Sequence, residues 1–246
     1  MPVPTEPSGD AGPLRDCAAA VVVAAGSGTR LGLGNKALLP LAEAPLVAWT
    51  LSQLREAPAV AQVVLVMGEA DCVAFRERWQ EDVEALGADV VVAGGAERWL
   101  SSRAGVQATD PALPVVLVHD AARPLTLAED IQRVAEAAHT HGAALLAAPL
   151  ADTLKEAGED GRVVRTLSRE RLWRAATPQG ARRELLLEAF AAWPADGPPP
   201  TDEASLLEAA GHPPLLVEGG ATAFKITTLE DLFLAEKLLQ GTDDDE

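Results

Sequence analysis

The chain has 246 residues, of which 48% are hydrophobic, so it can bury the core of one large or two small α/β domains. This composition excludes a mainly disordered protein. The formal net charge of −17 excludes nucleic acid and anionic membranes as general partners, so a phosphate-binding pocket must be a local cluster of Arg and Lys.

Alternating apolar and amphipathic segments follow a tail at the N-terminus. Residues 1–16 are rich in Pro, Gly and acidic residues, which predicts a flexible segment. Apolar runs then predict strands at 18–24, 62–67, 89–93, 114–119 and 143–149. Amphipathic stretches predict helices near 45–57, 70–86, 97–109, 127–141 and 181–192. Such alternation indicates βαβ units and a mainly parallel sheet with helices on both faces.

The pattern changes after residue 149. Two short extended runs, at 152–157 and 162–167, flank an Asp-Gly pair, which is a strong hairpin signal. We expect a β-arm over about residues 150–172 that projects from a domain spanning 17–240. Because a long arm cannot bury its own faces, it should pack on a second subunit, with its own domain as the alternative.

The C-terminal part of the chain contains a loop, a helix and a tail. Four prolines in the seven residues 194–200 predict the loop. A capping-box pattern predicts that the last helix begins at Thr228 and runs to about Leu239. Residues 241–246 form a short acidic tail.

The segment 24–32 follows the first strand directly and consists largely of Gly and small residues. Such residues let the backbone approach a ligand and aim its N–H groups at phosphate oxygens. Arg30 and Lys36 add two positive charges where a triphosphate would lie, which favours a nucleoside triphosphate site over a simple tight turn. The P-loop string is absent, and Gly32 falls one residue late for the dinucleotide fingerprint, so we do not expect NAD binding.

Two further segments lie at predicted strand ends. Residues 94–101 begin with two glycines and lead into a helix, so Ser101 could bond a base or a sugar, although a plain glycine turn explains the segment equally well. Asp120 ends a buried strand, and a carboxylate there is well placed to hold Mg²⁺ on triphosphate oxygens. A salt bridge from Asp120 to Arg123 is the alternative. His119 is expected to be structural, because no second His or Cys lies nearby in the sequence.

Two later cations are ambiguous on their own. Arg169, on the return of the arm, reads as an ordinary surface arginine. Lys225 lies in a short apolar run before the last helix, where a lysine either extends out of the core or faces a site.

Taken together, these segments make the chain resemble one enzyme family. Members of that family have similar segments in the same order, and in this chain they lie at 22–32 with Lys36, 94–101, 118–124, 172–180, 201–205 and 225–232. Over about residues 18–240 the chain is similar to the 2-C-methyl-D-erythritol 4-phosphate cytidylyltransferases of the non-mevalonate isoprenoid pathway. The His-Asp-Ala-Ala-Arg-Pro and Trp…Thr-Pro-Gln strings are quite specific, whereas the glycine loop occurs in many nucleotidyltransferases. One departure is the segment 35–38, which reads Asn-Lys-Ala-Leu where the family usually has Pro-Lys-Gln and an aromatic residue.

The resemblance implies a Rossmann-like nucleotidyltransferase fold, a homodimer formed through the arm, and transfer of CMP from CTP to methylerythritol phosphate with release of pyrophosphate. The implied catalytic cations are Arg30, Lys36, Arg169 and Lys225. The implied nucleotide-binding residues are Ala24, Ala25, Gly26, Ser27, Gly28, Gly94, Gly95 and Ser101. The implied acceptor-binding residues are Arg123, Thr153, Arg169 and Lys225, with the arm residues acting across the dimer interface. Asp120 would hold Mg²⁺ or another divalent cation.

Two other functions compete with this interpretation. A cytidylyltransferase for another polyol phosphate, such as ribitol 5-phosphate, would share the loop, the metal site and the lysine. A non-catalytic nucleotide-binding protein could keep the fold, but the joint retention of five charged residues argues against a decayed site. These residues are Arg30, Lys36, Asp120, Arg169 and Lys225.

The two cysteines, Cys17 and Cys72, lack metal-ligand spacing and are expected to be packing residues rather than a disulfide. The sequence has no apolar run as long as a membrane helix and no signal-peptide pattern at its N-terminus. We therefore expect a cytoplasmic protein whose partners are CTP, a polyol phosphate and a second copy of itself.

Overall fold

The computed structural model describes residues 12–26, 35–73, 87–194, 197–220 and 222–242. Three predicted glycine-loop residues, Ser27, Gly28 and Arg30, lie outside the described residues, as does most of the helix predicted at 70–86. Of the predicted N-terminal tail, residues 1–11 also lie outside them. Leu14 and Asp16 are hydrogen-bonded, since the Leu14 carbonyl accepts from Gln132 and the Asp16 N–H donates to the Pro58 carbonyl.

In the described part of the chain, seven strands form one mixed sheet. Their bounds are β1 Ala18–Ala24, β4 Val60–Met67, β5 Val90–Ala93, β6 Val115–Asp120, β7 Ala143–Pro149, β10 Trp173–Arg182 and β11 Leu215–Glu218. Their order across the sheet is β11-β7-β10-β6-β1-β4-β5. Six of these strands run parallel to one another, and β10 runs antiparallel to both of its neighbours. Two short strands, β2 Pro40–Leu41 and β3 Ala44–Pro45, pair separately. The expectation of a mainly parallel sheet is confirmed.

Helices cover both faces of this sheet. Their described bounds are α1 Leu46–Glu56, α2 Arg98–Gln107, α3 Ala128–His141, α4 Arg183–Ala192, α5 Glu203–Ala209 and α6 Leu229–Thr242. Alternate residues of the central strands enter two separate cores, because successive strand side chains point to opposite faces. In β1, Val22 packs in the core that contains α1 and α3, whereas Val21 packs in the core that contains α2, α4 and α5.

The approach of α2 to the sheet depends on a glycine. A Cβ atom at Gly105 would lie 2.3 Å from Cγ1 of Val21 and 2.7 Å from Cγ2 of Val66. Only a residue without a side chain therefore lets the helix lie this close to β1 and β4. This close packing fixes the N-terminal end of α2 near the carboxyl ends of both strands.

A third apolar cluster joins the C-terminal helix to the segment after β1. Ile226 and Ala235 are buried there with Leu41 and Leu46. Burial of Ile226 fixes the preceding residue, Lys225, beside the carboxyl ends of β1 and β6.

Strands β10 and β11 of the main sheet and helix α5 were not predicted from the sequence. The predicted arm hairpin is present: β8 Leu154–Ala157 pairs antiparallel with β9 Val163–Leu167. The turn between them contains Gly161 at a φ of +75°, which glycine adopts without strain. Val163 and Val164 on the arm are 63% and 64% exposed.

Both cysteines are buried and neither forms a disulfide, as expected for packing residues. No helix within the described ranges has the length and apolar character needed to cross a membrane.

Candidate active site

A cleft of about 380 Å³ opens at the carboxyl ends of β1 and β6. The chain leaves β1 toward β4 and β5 on one side and later returns to β6 on the other side. Open α/β sheets bind ligands at such a switch point, because the loops that follow the two strands diverge there. Among the described residues, five parts of the chain line the cleft, at 23–26, 35–37, 95–98 with Ser101, 120–122 and Lys225.

The two glycine segments meet on one side of the cleft. A Cβ atom at Gly94 would lie 2.6 Å from Oγ of Ser101 and 2.8 Å from Cβ of Ala25, so this close approach requires glycine. The Ser101 hydroxyl is buried and accepts a hydrogen bond from the Gly95 N–H at 3.1 Å. Ser101 therefore shapes the glycine turn. Both segments were predicted to bind nucleotide, and the structure brings their described residues together.

The segment that departs from the family pattern carries Lys36 into the cleft. The Asn35 side chain caps the short 3₁₀ helix Lys36–Leu38, because its Oδ1 accepts from the Ala37 N–H at 3.0 Å. Its Nδ2 group donates to the Ala24 carbonyl at 2.9 Å and to Asp71 at 2.7 Å. Asn35 thus ties this segment to the end of β1.

Lys36 lies beside the C-terminal segment. Its Nζ atom donates to the Ile226 carbonyl at 3.2 Å, and the Ile226 N–H donates to the Ala122 carbonyl at 2.8 Å. These contacts place Lys36 and Lys225 at one cleft, although they are 189 residues apart in the sequence. The sequence left open whether Lys225 extends out of the core or faces a site, and in the structure it lines the cleft; its role there stays a prediction.

Asp120 is the centre of a charged cluster. Its Oδ2 atom lies 2.8 Å from Nζ of Lys225 and 3.6 Å from Nε of Arg123, and its Oδ1 atom lies 3.1 Å from Nη2 of Arg98. The salt bridge to Arg123 that the sequence left open is therefore present, as one of three ion pairs that Asp120 makes with described residues.

This cluster keeps Asp120 ionised. Burial alone would raise the pKa of its carboxyl, but Arg98, Lys225 and Arg123 outweigh burial and hold that pKa well below the usual range. A single ionised carboxylate can hold Mg²⁺ only if most of the other ligands of the ion come from elsewhere than the protein. This is the case for Mg²⁺ held on nucleotide phosphates, since it takes one or two carboxylates from the protein. The described residues contain no cluster of three or more His, Cys, Asp or Glu that could hold a metal without a nucleotide.

Arg98 and Glu203 were not predicted as site residues from the sequence. Nη1 and Nη2 of Arg98 donate to the two carboxylate oxygens of Glu203 at 2.8 and 3.0 Å. The Glu203 side chain is only 1% exposed, so its charge needs this partner. The sequence signal was weak, because Arg98 follows a glycine turn and Glu203 starts a short helix 105 residues later.

Thr177 on β10 supports the end of β6. Its hydroxyl accepts from the Asp120 N–H at 3.0 Å and lies 2.9 Å from Nδ1 of His119. The hydroxyl keeps its proton and a second lone pair for His119, so it can bond either tautomer of a neutral ring. Burial lowers the pKa of His119 to about 4, although Asp120 opposes this shift. His119 is thus a buried neutral residue, in agreement with the structural role expected for it.

The free energy of unfolding should therefore decrease as the pH is lowered, because of His119. Between pH 6.5 and 4 the unfolded chain binds a proton at this histidine that the folded chain excludes. Lowering the pH from 7 to 5 should thus remove about 2 kcal/mol of the free energy of unfolding through this group. Urea unfolding at both pH values, with EDTA present, should show a smaller loss in His119→Gln than in the wild type. Equal losses in the two proteins would contradict the buried neutral state.

Three predicted acceptor-binding residues lie in different surroundings. Arg123 is mostly buried, contacts Asp120, and donates from Nη1 to the Ala223 carbonyl at 2.7 Å. Thr153 and Arg169 are exposed at the base of the arm. The described residues that line the cleft include none of these three. One protomer therefore brings Lys36, Asp120, Lys225 and Arg123 together but leaves the arm residues apart from them.

Comparison with known proteins gives consistent matches over the whole domain. The family profile described as 2-C-methyl-D-erythritol 4-phosphate cytidylyltransferase matches residues 18–241. A relative of that name from Frankia casuarinae is 45% identical over 230 residues, covering 92% of this chain and 82% of the relative. One from Pelotomaculum thermopropionicum is 41% identical over 227 residues, covering 92% of this chain and 95% of the relative. The crystal structure of the Thermus thermophilus protein of that name superimposes with a TM-score of 0.74 at 38% identity, covering 90% of this chain and 98% of that one.

Proposed function

Because the chain belongs to the 2-C-methyl-D-erythritol 4-phosphate cytidylyltransferase family, we infer that its cleft is the place where CMP is transferred. The reaction converts CTP and 2-C-methyl-D-erythritol 4-phosphate to 4-diphosphocytidyl-2-C-methyl-D-erythritol and pyrophosphate, in isoprenoid biosynthesis. The observation that carries this assignment is that Lys36, Asp120 and Lys225 line one cleft at the switch point of the sheet, with Lys225 and Arg123 paired to Asp120.

The reaction is a displacement at phosphorus. An oxygen of the acceptor phosphate attacks the α-phosphorus of CTP in line, a new O–P bond forms, and the bond to the β-phosphate breaks with pyrophosphate as the leaving group. The attacking phosphate is already anionic near neutral pH, so no strong general base is required. The work left to the protein is positioning and neutralisation of charge.

Lys36 and Lys225 are suited to that work. Both amines lie at the cleft and are held there by packing of the Ile226 segment. In our proposal Lys36 contacts the triphosphate and stabilises charge that develops as pyrophosphate leaves, and Arg30 assists it. Lys225 and Arg123 bind the acceptor phosphate, while the glycine segments hold the cytosine and the ribose.

The proposal includes a divalent cation. Asp120 is the residue that would hold Mg²⁺, since its ionised carboxylate faces the cleft and the nucleotide phosphates would supply other oxygen ligands. When bound, Mg²⁺ would neutralise phosphate charge.

The proposal also includes a homodimer. The two-stranded arm buries little of its own surface, and such a hairpin alone is marginal in water. A second subunit that covers the arm would bring Thr153 and Arg169 to the cleft of its neighbour, where both would contact the acceptor. A cytoplasmic location completes the proposal and stays a prediction from the sequence.

Pyrophosphate release tests the function. The protein with CTP and Mg²⁺ should release pyrophosphate when methylerythritol phosphate is added and should not do so with ribitol 5-phosphate. Release with ribitol 5-phosphate alone would keep the mechanism but assign another acceptor. CTP binding without release in either reaction would support a non-catalytic nucleotide-binding protein instead.

Charged substitutions on the arm should prevent dimerisation. Val163→Asp with Val164→Asp would place two carboxylates on side chains that are 63% and 64% exposed in one protomer. If a second subunit covers them, burying these charges is costly, and the variant should sediment as a monomer in analytical ultracentrifugation. Val73→Asp, at a valine that is 55% exposed outside the arm, is the matched control and should leave the dimer intact. A doubly substituted variant that remains dimeric would contradict the role of the arm.

A further inference from the structure

The buried carboxylate of Glu203 lies next to the cleft but behind Arg98. It comes from the first turn of α5, and it binds Nη1 and Nη2 of Arg98 through both of its oxygens. Its side chain is 1% exposed, so the pair is almost completely removed from water on the Glu203 side. A buried charge is costly unless it is paired and hydrogen-bonded, so this arrangement requires Arg98 to stay in place.

The same guanidinium holds Asp120. Nε and Nη2 of Arg98 lie 3.2 and 3.1 Å from the Oδ1 atom of Asp120. Within the described part of the chain, Arg98 thus directs its hydrogen-bonding nitrogens toward two carboxylates, which occupy most of the donors of a guanidinium. Although Arg98 lines the cleft, its geometry suits the fixing of Asp120 better than the binding of a phosphate.

Strand β10 is hydrogen-bonded to both segments that carry these carboxylates. Thr177 accepts from the Asp120 N–H, which fixes the backbone at the end of β6. Two residues further on, Gln179 accepts from the Ala204 N–H at 2.8 Å and donates to Asp202 at 3.0 Å. The strand therefore holds the backbone of Asp120 and also the first turn of α5, which carries Glu203.

We propose that Arg98 is a positioning residue for the Asp120 carboxylate during CMP transfer, and that Glu203 anchors Arg98 in this role. Arg98 fixes Oδ1 of Asp120, and Oδ2 is thereby directed to Lys225 at 2.8 Å, where the acceptor phosphate would bind. The proposal rests on the function assigned above. It gives a role to two sequence segments that recur in the family, 172–180 and 201–205, for which the sequence suggested none.

A double-mutant cycle on turnover tests this role. Arg98→Lys keeps a charge but loses the planar fork that binds two carboxylates. It should lower kcat about 10-fold and leave the KM for CTP within about 3-fold, because Arg98 acts through Asp120 rather than on the nucleotide. In an Asp120→Asn background the same change should lower kcat less than about 2-fold further. A full additional 10-fold loss in that background would show that Arg98 acts on the substrate directly and would overturn the proposal.

Glu203→Gln provides a second variant if Arg98→Lys fails to fold. It keeps the shape and one acceptor oxygen of the side chain, so it should also lower kcat with little change in the KM for CTP, and this effect should disappear with Asp120→Asn. Arg133→Lys is the matched control, since Arg133 pairs with buried Asp130 on α3, neither residue lines the cleft, and the variant should keep wild-type kcat. Wild-type turnover in the same assay separates failure of this proposal from failure of the assigned function.

Urea unfolding without substrate measures the coupling of Arg98 to Glu203 independently of turnover. Additive effects of Arg98→Lys and Glu203→Gln on the free energy of unfolding would contradict the role of Glu203 as the anchor of Arg98.

Discussion

Replacing Lys36 with alanine is expected to lower kcat about 100-fold or more, equivalent to about 3 kcal/mol of transition-state stabilisation. The reason is the placement of its Nζ atom at the cleft, 3.2 Å from the Ile226 carbonyl and close to the ends of β1 and β6. Negative charge grows on the leaving pyrophosphate, and a fixed ammonium group stabilises that charge more in the transition state than in the ground state. Steady-state pyrophosphate release with CTP and methylerythritol phosphate measures the effect.

The fold should tolerate this change. Lys36→Ala removes an amine that is only partly buried, so urea unfolding should show a small loss of stability beside the loss of kcat. Lys237→Ala is the matched control, because Lys237 is an exposed lysine on α6 that bonds Gln240. Turnover of Lys36→Ala close to that of Lys237→Ala would refute the catalytic role of Lys36.

Replacing Asp120 with asparagine should affect both stability and turnover. The side chain is 9% exposed and pairs with Arg98, Arg123 and Lys225, so its neutralisation leaves these cations without their shared counter-charge. Breaking such a pair is expected to cost about 3 kcal/mol of the free energy of unfolding. Because the pKa of Asp120 is lowered, its contribution is complete above the usual carboxyl pKa of 3.8 and is lost only at lower pH. Urea unfolding at pH 7 therefore measures the full effect.

Turnover of Asp120→Asn should fall about 100-fold or more, measured well below its unfolding temperature. Asp130→Asn separates the two effects, since Asp130 is 5% exposed and pairs with Arg133 outside the cleft. The control should lose stability but keep kcat. If Asp120→Asn also keeps kcat, Asp120 is a structural carboxylate and holds no metal during the reaction.

Much of the fold could be predicted because its signals are local. The apolar runs that became β1, β4, β6 and β7 are continuous, as expected for strands buried on both faces. The arm was predictable from an Asp-Gly pair between two short extended runs. Strand β10 was not, because it contains Pro178 and several polar residues and becomes a strand only through pairing with β6 and β7.

The candidate site also has a part that could be predicted from the sequence and a part that could not. Lys36, Asp120 and Lys225 lie in recognisable segments, and the structure brings them to one cleft. The partnership of Arg98 with Glu203 depends on contacts between residues that are 105 positions apart, so a single sequence carries no local signal for it. The unusual Asn35 also proved interpretable only in three dimensions, where its side chain caps the helix that carries Lys36.

An isotope experiment tests the central claim most directly. Methylerythritol phosphate labelled with ¹⁸O in its phosphate oxygens would react with unlabelled CTP, and ³¹P NMR would locate the label in the products. Direct attack of the acceptor phosphate on the α-phosphorus predicts ¹⁸O in the bridge between the two phosphorus atoms of the diphosphocytidyl product, and none in pyrophosphate. An unlabelled bridge would show that the bond forms from an oxygen of the nucleotide and would contradict the proposed displacement in this cleft.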